Sequence, residues 1–190
     1  MLKTFQQALF STGLQLPPWK PVECKAQDYE IRTYETTKWA STSGSGMQYD
    51  SAINTGFMRL FNYIQGNNEK IYLIPMHKRN ATHVLFEWIA VLLLSLQSPS
   101  YLNDPNCPPK SKDPRYFLTT YLKLKFHLRT YGGFSNEQKS REELLKLSES
   151  LRRDGHQFVD KEYYTAGYDS PFKLVNRRNE VWLKKKTDED

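Results

Sequence analysis

The chain has 190 residues, 38% apolar and 25% charged, enough for one soluble-type domain with a core of its own. Its net charge is +6, but apart from Arg177-Arg178 and Lys184-Lys185-Lys186 the cations are scattered. That argues against a nucleic-acid-binding stripe and fits a surface that attracts propionates, phosphates or acidic membranes. The strongest apolar run, 84–96, is too short to span a bilayer and contains Glu87, so no transmembrane segment is expected.

Residues 1–15 carry Leu2, Phe5, Leu9 and Phe10 at roughly helical spacing, with one lysine, no arginine and no small-residue cleavage site. Neither a secretory signal nor a transit peptide is expected. Cys24 and Cys107 have no metal-type or redox-type spacing and read as free thiols of a reducing compartment. The expected division is an extension over 1–18, a single domain over 19–184 and a charged tail over 185–190.

After the extended lead-in Pro17-Pro18-Trp19-Lys20-Pro21, residues 29–34 alternate as a strand that continues to 39–41, and 42–48 is a Ser/Gly loop. Asp50 is placed to cap a helix that Gly66 ends. Between them Ile53, Phe57, Leu60, Phe61 and Ile64 form a core stripe wide enough to put Phe57 and Phe61 at its edge. A strand over 70–75 and a polar loop over 76–83 follow. Residues 85–96 read as a buried strand, a pair of strands or a short buried helix. Residues 98–114, with five prolines, read as an irregular connection.

Residues 122–131 alternate almost perfectly, with Leu122, Leu124, Phe126 and Leu128 facing the core and Lys123, Lys125, His127 and Arg129 facing out. Gly132-Gly133 breaks the strand, and Ser135 to Gln138 reads as a capping box. Leu144, Leu147 and Leu151 mark the buried stripe of a second helix, which Gly155 stops. Two strand-like pieces, 163–166 and 180–183, flank turns at 167–171 and 176–179 and close the chain as a hairpin. The aromatic and cationic residues of this hairpin also suit a flat, anionic ligand.

The chain reads as doubled. Arg32-Thr33-Tyr34 and Arg129-Thr130-Tyr131 each precede a glycine-containing loop, a helix, a terminating glycine and a strand. Two strand–helix–strand halves predict a pseudo-symmetric α+β domain with helices on a curved antiparallel sheet and a ligand groove between them.

The string Tyr163-Tyr164-Thr165-Ala166-Gly167-Tyr168-Asp169-Ser170-Pro171, followed by Asn176-Arg177 and Asn179-Glu180-Val181-Trp182-Leu183, resembles the C-terminal signature of the SOUL heme-binding family. Trp19-Lys20, Tyr29-Glu30-Ile31-Arg32, Asp50-Ser51-Ala52-Ile53, Thr55-Gly56-Phe57, Tyr63-Ile64-Gln65-Gly66 and Gly133-Phe134-Ser135 extend it, over roughly 19–74 and 107–184. The resemblance implies a pseudo-two-fold distorted antiparallel β-barrel with two helices that binds heme or another tetrapyrrole non-covalently, without catalysis. It implies a groove beside the first helix lined by Asn54, Phe57 and Phe61, with Tyr168, Lys173 and Leu174 from the turn region. Apolar and aromatic walls suit the ring faces, and Lys173, Arg177 or Arg178 suits the propionates.

In one branch of the family a strand histidine is the proposed iron ligand; Thr33 stands there, and a hydroxyl is a poor substitute. The family's Met-Thr-Ala-Pro-Val strand is replaced by Ile71-Tyr72-Leu73-Ile74-Pro75-Met76, and 77–106 match poorly. Among the histidines, His77 and His83 are the secondary candidates for iron, with Met58 and Met76 behind them. The segment 147–155 has the Leu, Asp and Gly spacing of a BH3-like helix, which the family resemblance links to mitochondrial cell death.

The sequence holds no nucleophile–base arrangement, phosphate-cradling loop or metal-ligand cluster. The expectation is therefore a non-enzymatic tetrapyrrole carrier, buffer or sensor, cytoplasmic and with mitochondria as a second compartment. The alternative is an interaction module that acts on a Bcl-2-type partner through the second helix.

Overall fold

The computed structural model describes residues 19–21, 26–34, 37–43, 48–69, 71, 80–85, 90–95, 110–121, 123–169 and 173–187. In chain order these form β1 (Trp19–Pro21), β2 (Glu30–Tyr34), β3 (Thr37–Ser43), α1 (Tyr49–Ile64), β4 (Asn80–Leu85) and β5 (Ala90–Ser95). They continue with β6 (Tyr116–Tyr121), β7 (Leu124–Gly132), α2 (Glu137–Arg153), β8 (Glu162–Gly167) and β9 (Arg178–Lys184). The nine strands form one sheet in the order β1-β2-β7-β9-β8-β4-β5-β3-β6. Each neighbouring pair runs antiparallel. Among the described residues the series is open, with β1 and β6 at its ends, so these pairings do not close the expected barrel.

The order is palindromic. Within each half the strand before the helix pairs with the second strand after it, which pairs with the first: β3-β5-β4 and β7-β9-β8. The halves meet where β4 pairs with β8, and each lends its leading strand to the other, β2 to β7 and β6 to β3. α1 packs on β3 and β5, and α2 on β7 and β9, which are the corresponding places. The doubling is therefore real, but β7 corresponds to β3. The tripeptides Arg32-Thr33-Tyr34 and Arg129-Thr130-Tyr131 sit on strands that pair with each other, not on strands related by the repeat.

β7 and β9 are covered on both sides. Phe126, Leu128 and Trp182 join Tyr34, Tyr164, Ala166 and Tyr168 in one core. Tyr131, Val181 and Leu183 point the other way, into a second core with Ile31, Leu147 and Leu151. His127 lies on the side that carries Tyr131 and is fully buried, which corrects the expectation that it faces solvent. The reason is α2: it roofs this face, while Lys123 and Lys125, nearer the strand's start, remain exposed.

α1 buries Ala52, Gly56, Leu60, Tyr63 and Ile64, leaving Ile53, Phe57 and Phe61 partly exposed along one edge. Its N-cap is Gln48, which makes no side-chain cap, and Asp50 sits in the first turn rather than at the cap. In α2 the cap is Asn136, whose side chain accepts the Lys139 N–H at 2.8 Å. The expected cap, Ser135, instead hydrogen-bonds the Tyr131 and Ser140 hydroxyls. Gly66 and Gly155 end their helices at φ of 104° and 73°, where only glycine is unstrained. Residues 80–83, expected as loop, belong to β4. The strand expected over 70–75 falls almost wholly outside the described residues.

Candidate functional site

The site begins with the hairpin of β8 and β9. Tyr168 N–H donates to the Arg178 carbonyl at 3.2 Å and closes the hairpin's mouth. Asp169 then organises what lies between. Its carboxylate takes the Lys173 ammonium at 2.6 Å and the Arg178 backbone N–H at 2.6 Å. Burial opposes the Asp169 charge, but these two donors outweigh it and hold the carboxyl below its ordinary range. Asn176, at φ 52°, turns the chain back toward Arg177, a left-handed conformation that asparagine tolerates. Arg177 donates to the Lys173 carbonyl at 2.6 Å, and its guanidinium lies 4.7 Å over the Phe134 ring. Asn179 donates to the Gly133 carbonyl at 2.8 Å, tying the start of β9 to the turn that carries Phe134.

Opposite this hairpin stands the first half of α1. Between them lies a cavity of about 390 Å³, walled by Tyr49, Asp50, Ile53, Asn54 and Phe57 from α1 and by Thr165, Ala166 and Gly167 from β8. Phe134, Ser135 and Asn136 line it just before α2, and Asp169, Arg177 and Asn179 line the hairpin side. It occupies the seam between the two halves. The Tyr49 hydroxyl meets the Thr165 hydroxyl at 3.0 Å and pins α1 to β8. Burial pushes the Tyr49 phenol up, against the hydrogen bonds to Thr165 and Ser140.

Of the residues expected to bind a ligand, Asn54, Phe57 and Arg177 line this cavity. Phe61 extends the aromatic wall: its ring stacks on Phe57 with centroids 5.8 Å apart and planes 11° apart. Lys173 is committed to Asp169, and Leu174 is exposed at the tip of the turn. Tyr168 is buried in the core, and its hydroxyl donates to Glu180 at 2.5 Å, so its contribution is to the hairpin's base. Thr33 is buried on β2 and does not line the cavity. His83 lies on β4, in register with Val91 and Tyr164, and Met58 is exposed on α1. His77 and Met76 lie outside the described residues.

Sequence reasoning missed Tyr49, Phe134, Asn136, Thr165 and Asn179. Phe134 alone carried a usable signal, an aromatic directly after a glycine pair. No group of three or more metal-ligating side chains occurs among the described residues.

Leu147 and Leu151, the apolar positions of the BH3-like segment, are wholly buried against the sheet. They can reach a partner's groove only if α2 leaves its seat.

Residues 14–184 match the family described as SOUL heme-binding protein. The chain is 41% identical to human Heme-binding protein 2 over 185 residues, covering 93% of this chain and 88% of that one. Heme-binding protein 1 of Xenopus tropicalis is 31% identical over 165 residues, with 82% of each chain covered. Among solved structures, the C-terminal domain of EcmrR superposes with a TM-score of 0.61 at 6% identity, covering 89% of this chain and 98% of that one; the likeness is one of fold alone. With all nine described strands inside the matched span, the chain belongs to the SOUL heme-binding protein family.

Proposed function

We propose that the protein binds a tetrapyrrole, heme or a relative of it, reversibly and without chemistry, in the cavity between α1 and the β8–β9 hairpin. One observation carries this reading beyond family membership. An aromatic edge (Phe57 stacked on Phe61) faces a second aromatic, Phe134, with a guanidinium beside it, across a cavity large enough to seat part of a flat ring. Phe57, Phe61 and Phe134 offer faces to the macrocycle, and Asn54 offers an amide at its edge. Arg177 stands where a propionate emerges, with Lys173 and Leu174 at the mouth.

Heme, if bound, would supply an iron centre, but the residues here speak for recognition of the ring. The described lining residues include no histidine, cysteine or methionine, and the Tyr49 phenol is pushed away from the ionised form that would favour iron. Carrier or buffer suits such a site, since release requires no ligand exchange at the metal.

The test is a titration of the purified protein with hemin and with iron-free protoporphyrin, followed in the Soret band. Affinities within about tenfold of one another, or about 1.4 kcal/mol, are expected. Binding of hemin alone would assign an iron ligand outside this cavity wall, and binding of neither would sink the reading.

A further inference from the structure

Three of the large apolar side chains exposed among the described residues belong to this region: Phe134 lines the cavity, and Leu174 and Val175 belong to the turn whose Arg177 stacks on Phe134. They are 60%, 73% and 71% exposed. Leu174 and Val175 occupy the tip of the turn that Asn176 reverses, and Arg177 returns from that tip to stack on Phe134. A contiguous apolar tip of this kind is unusual on a surface that meets only water. Its charges are layered as well. The acids beneath it are buried, with the Asp169 and Glu180 side chains 3% and 0% exposed. The cations paired to them, Lys173 and Arg178, remain 33% and 45% exposed. The tip therefore turns positive charge outward around two apolar residues. Asp50, across the cavity on α1, is the acid that faces solvent from the other wall.

We propose that this tip seats the protein on an anionic lipid bilayer, with Leu174 and Val175 entering the interface and Lys173 and Arg178 at the level of the headgroups. The inference deepens the tetrapyrrole reading and rests on it. An amphiphilic ring partitions into bilayers, and a cavity whose hairpin turn docks there exchanges its ligand with the membrane without passing it through water. Two apolar side chains and two partly paired cations make a weak, reversible, salt-sensitive anchor.

The experiment is sedimentation of the full chain with vesicles of phosphatidylcholine containing phosphatidylserine, against phosphatidylcholine alone, at low and high salt. Binding is expected to rise with phosphatidylserine and fall with salt. Val175→Asp is expected to weaken it at least ~tenfold, while leaving protoporphyrin binding in solution unchanged, since Val175 does not line the cavity. In Val175→Trp the introduced indole should shift to the blue on adding vesicles. No sedimentation with either vesicle, or equal sedimentation of Val175→Asp, overturns the proposal. So does an indole quenched by protoporphyrin and indifferent to vesicles, which would make the tip a cover for the ligand and leave the tetrapyrrole reading standing. Vesicle binding without porphyrin binding would do the reverse: the docking surface stands and the tetrapyrrole reading falls.

Discussion

The imidazole of His127 lies 5.2 Å from that of His156, ring centre to ring centre, with the planes tilted by 44°. His127 is fully buried on β7, and neither of its ring nitrogens has a full hydrogen bond; the Gln157 backbone lies near enough only for a weaker interaction. Tyr29 meets both rings edge-on and donates its hydroxyl to Asp154 at 2.9 Å. Four stretches of the chain converge on this pair: Tyr29 just before β2, the middle of β7, the residues after α2 and Lys185 after β9.

Burial, and then the electrostatic influence of the neighbouring His156 and Lys185, push His127 down to about 4. Its unfolded value is near 6.5, so the unfolded chain binds the proton more tightly. The stability this group contributes is full above pH ~6.5 and is lost as pH falls toward 4, by about 3 kcal/mol in all. Asp154 and Glu143 are both held near 2, below ordinary carboxylate values of about 4, so the stability they contribute is lost mainly below pH ~5, under the range of the test. Denaturant midpoints between pH 7 and 5 should fall for the natural chain and fall distinctly less for His127→Phe; equal slopes would remove His127 as the cause.

Glu180 is fully buried, and its donors include Arg32 at 3.1 Å, Arg178 at 2.8 Å, Tyr168 at 2.5 Å and the Trp182 indole at 2.9 Å. Arg32 is buried with it; Arg32 also donates to the Tyr34 hydroxyl and pairs with Glu30, which is half exposed. Glu180→Ala strips a buried guanidinium of its buried counter-charge and should cost about 3 kcal/mol or more. The double change Arg32→Leu with Glu180→Leu should cost less than the sum of the singles, because it removes both charges. Additive costs in chemical denaturation would show that the pair does not act as a unit.

Within the cavity, Phe57→Asp sets a carboxylate against the ring face and should weaken protoporphyrin binding at least ~tenfold. Arg177→Gln should weaken it by ~5–10-fold, the size of a partly solvated charge-assisted contact. It should leave the protoporphyrin dimethyl ester, which lacks the carboxylates, unaffected. Loss of ester binding as well would move Arg177 from propionate recognition to support of the Phe134 wall.

Leu151 on α2 is fully buried, and truncation to alanine should cost ~2–5 kcal/mol. The same burial bears on the interaction-module alternative. A peptide spanning 137–155 presents its leucines, whereas the intact chain does not. If intact protein binds a Bcl-2-type groove as tightly as the peptide in a competition assay, α2 leaves the sheet more readily than this packing allows.

Much of the architecture was legible because it rests on period and punctuation. The alternation over 122–131, the leucine stripe of α2 and the stops at Gly66 and Gly155 are local signals, and each corresponds to an observed element. What failed was whatever depends on a neighbour. His127 reads as outward because its own strand says so, and only α2 on the far face makes it core. Ser135 fits a capping pattern, yet Tyr131 and Ser140 compete for its hydroxyl and Asn136 takes the cap. The site divides in the same way. Phe57 and Arg177 announce themselves by residue type and resemblance, but Tyr49, Thr165 and Asn179 become wall residues only once two halves of the chain meet along a seam.

The exchanged leading strands carry a cost in time. β2 can pair at once with β1, but its other edge is covered only when β7 exists, where Glu30 pairs with Leu128. At ~5–20 residues per second of synthesis, β2 waits roughly 5–20 s for the chain that will cover it. Neither half can complete its sheet by itself: the first lacks the β6 that flanks β3, and the second, taken alone, lacks the β2 that flanks β7. A nascent first half is thus a sheet with an open edge. Separately expressed halves should be soluble only together, each acting as the other's chaperone.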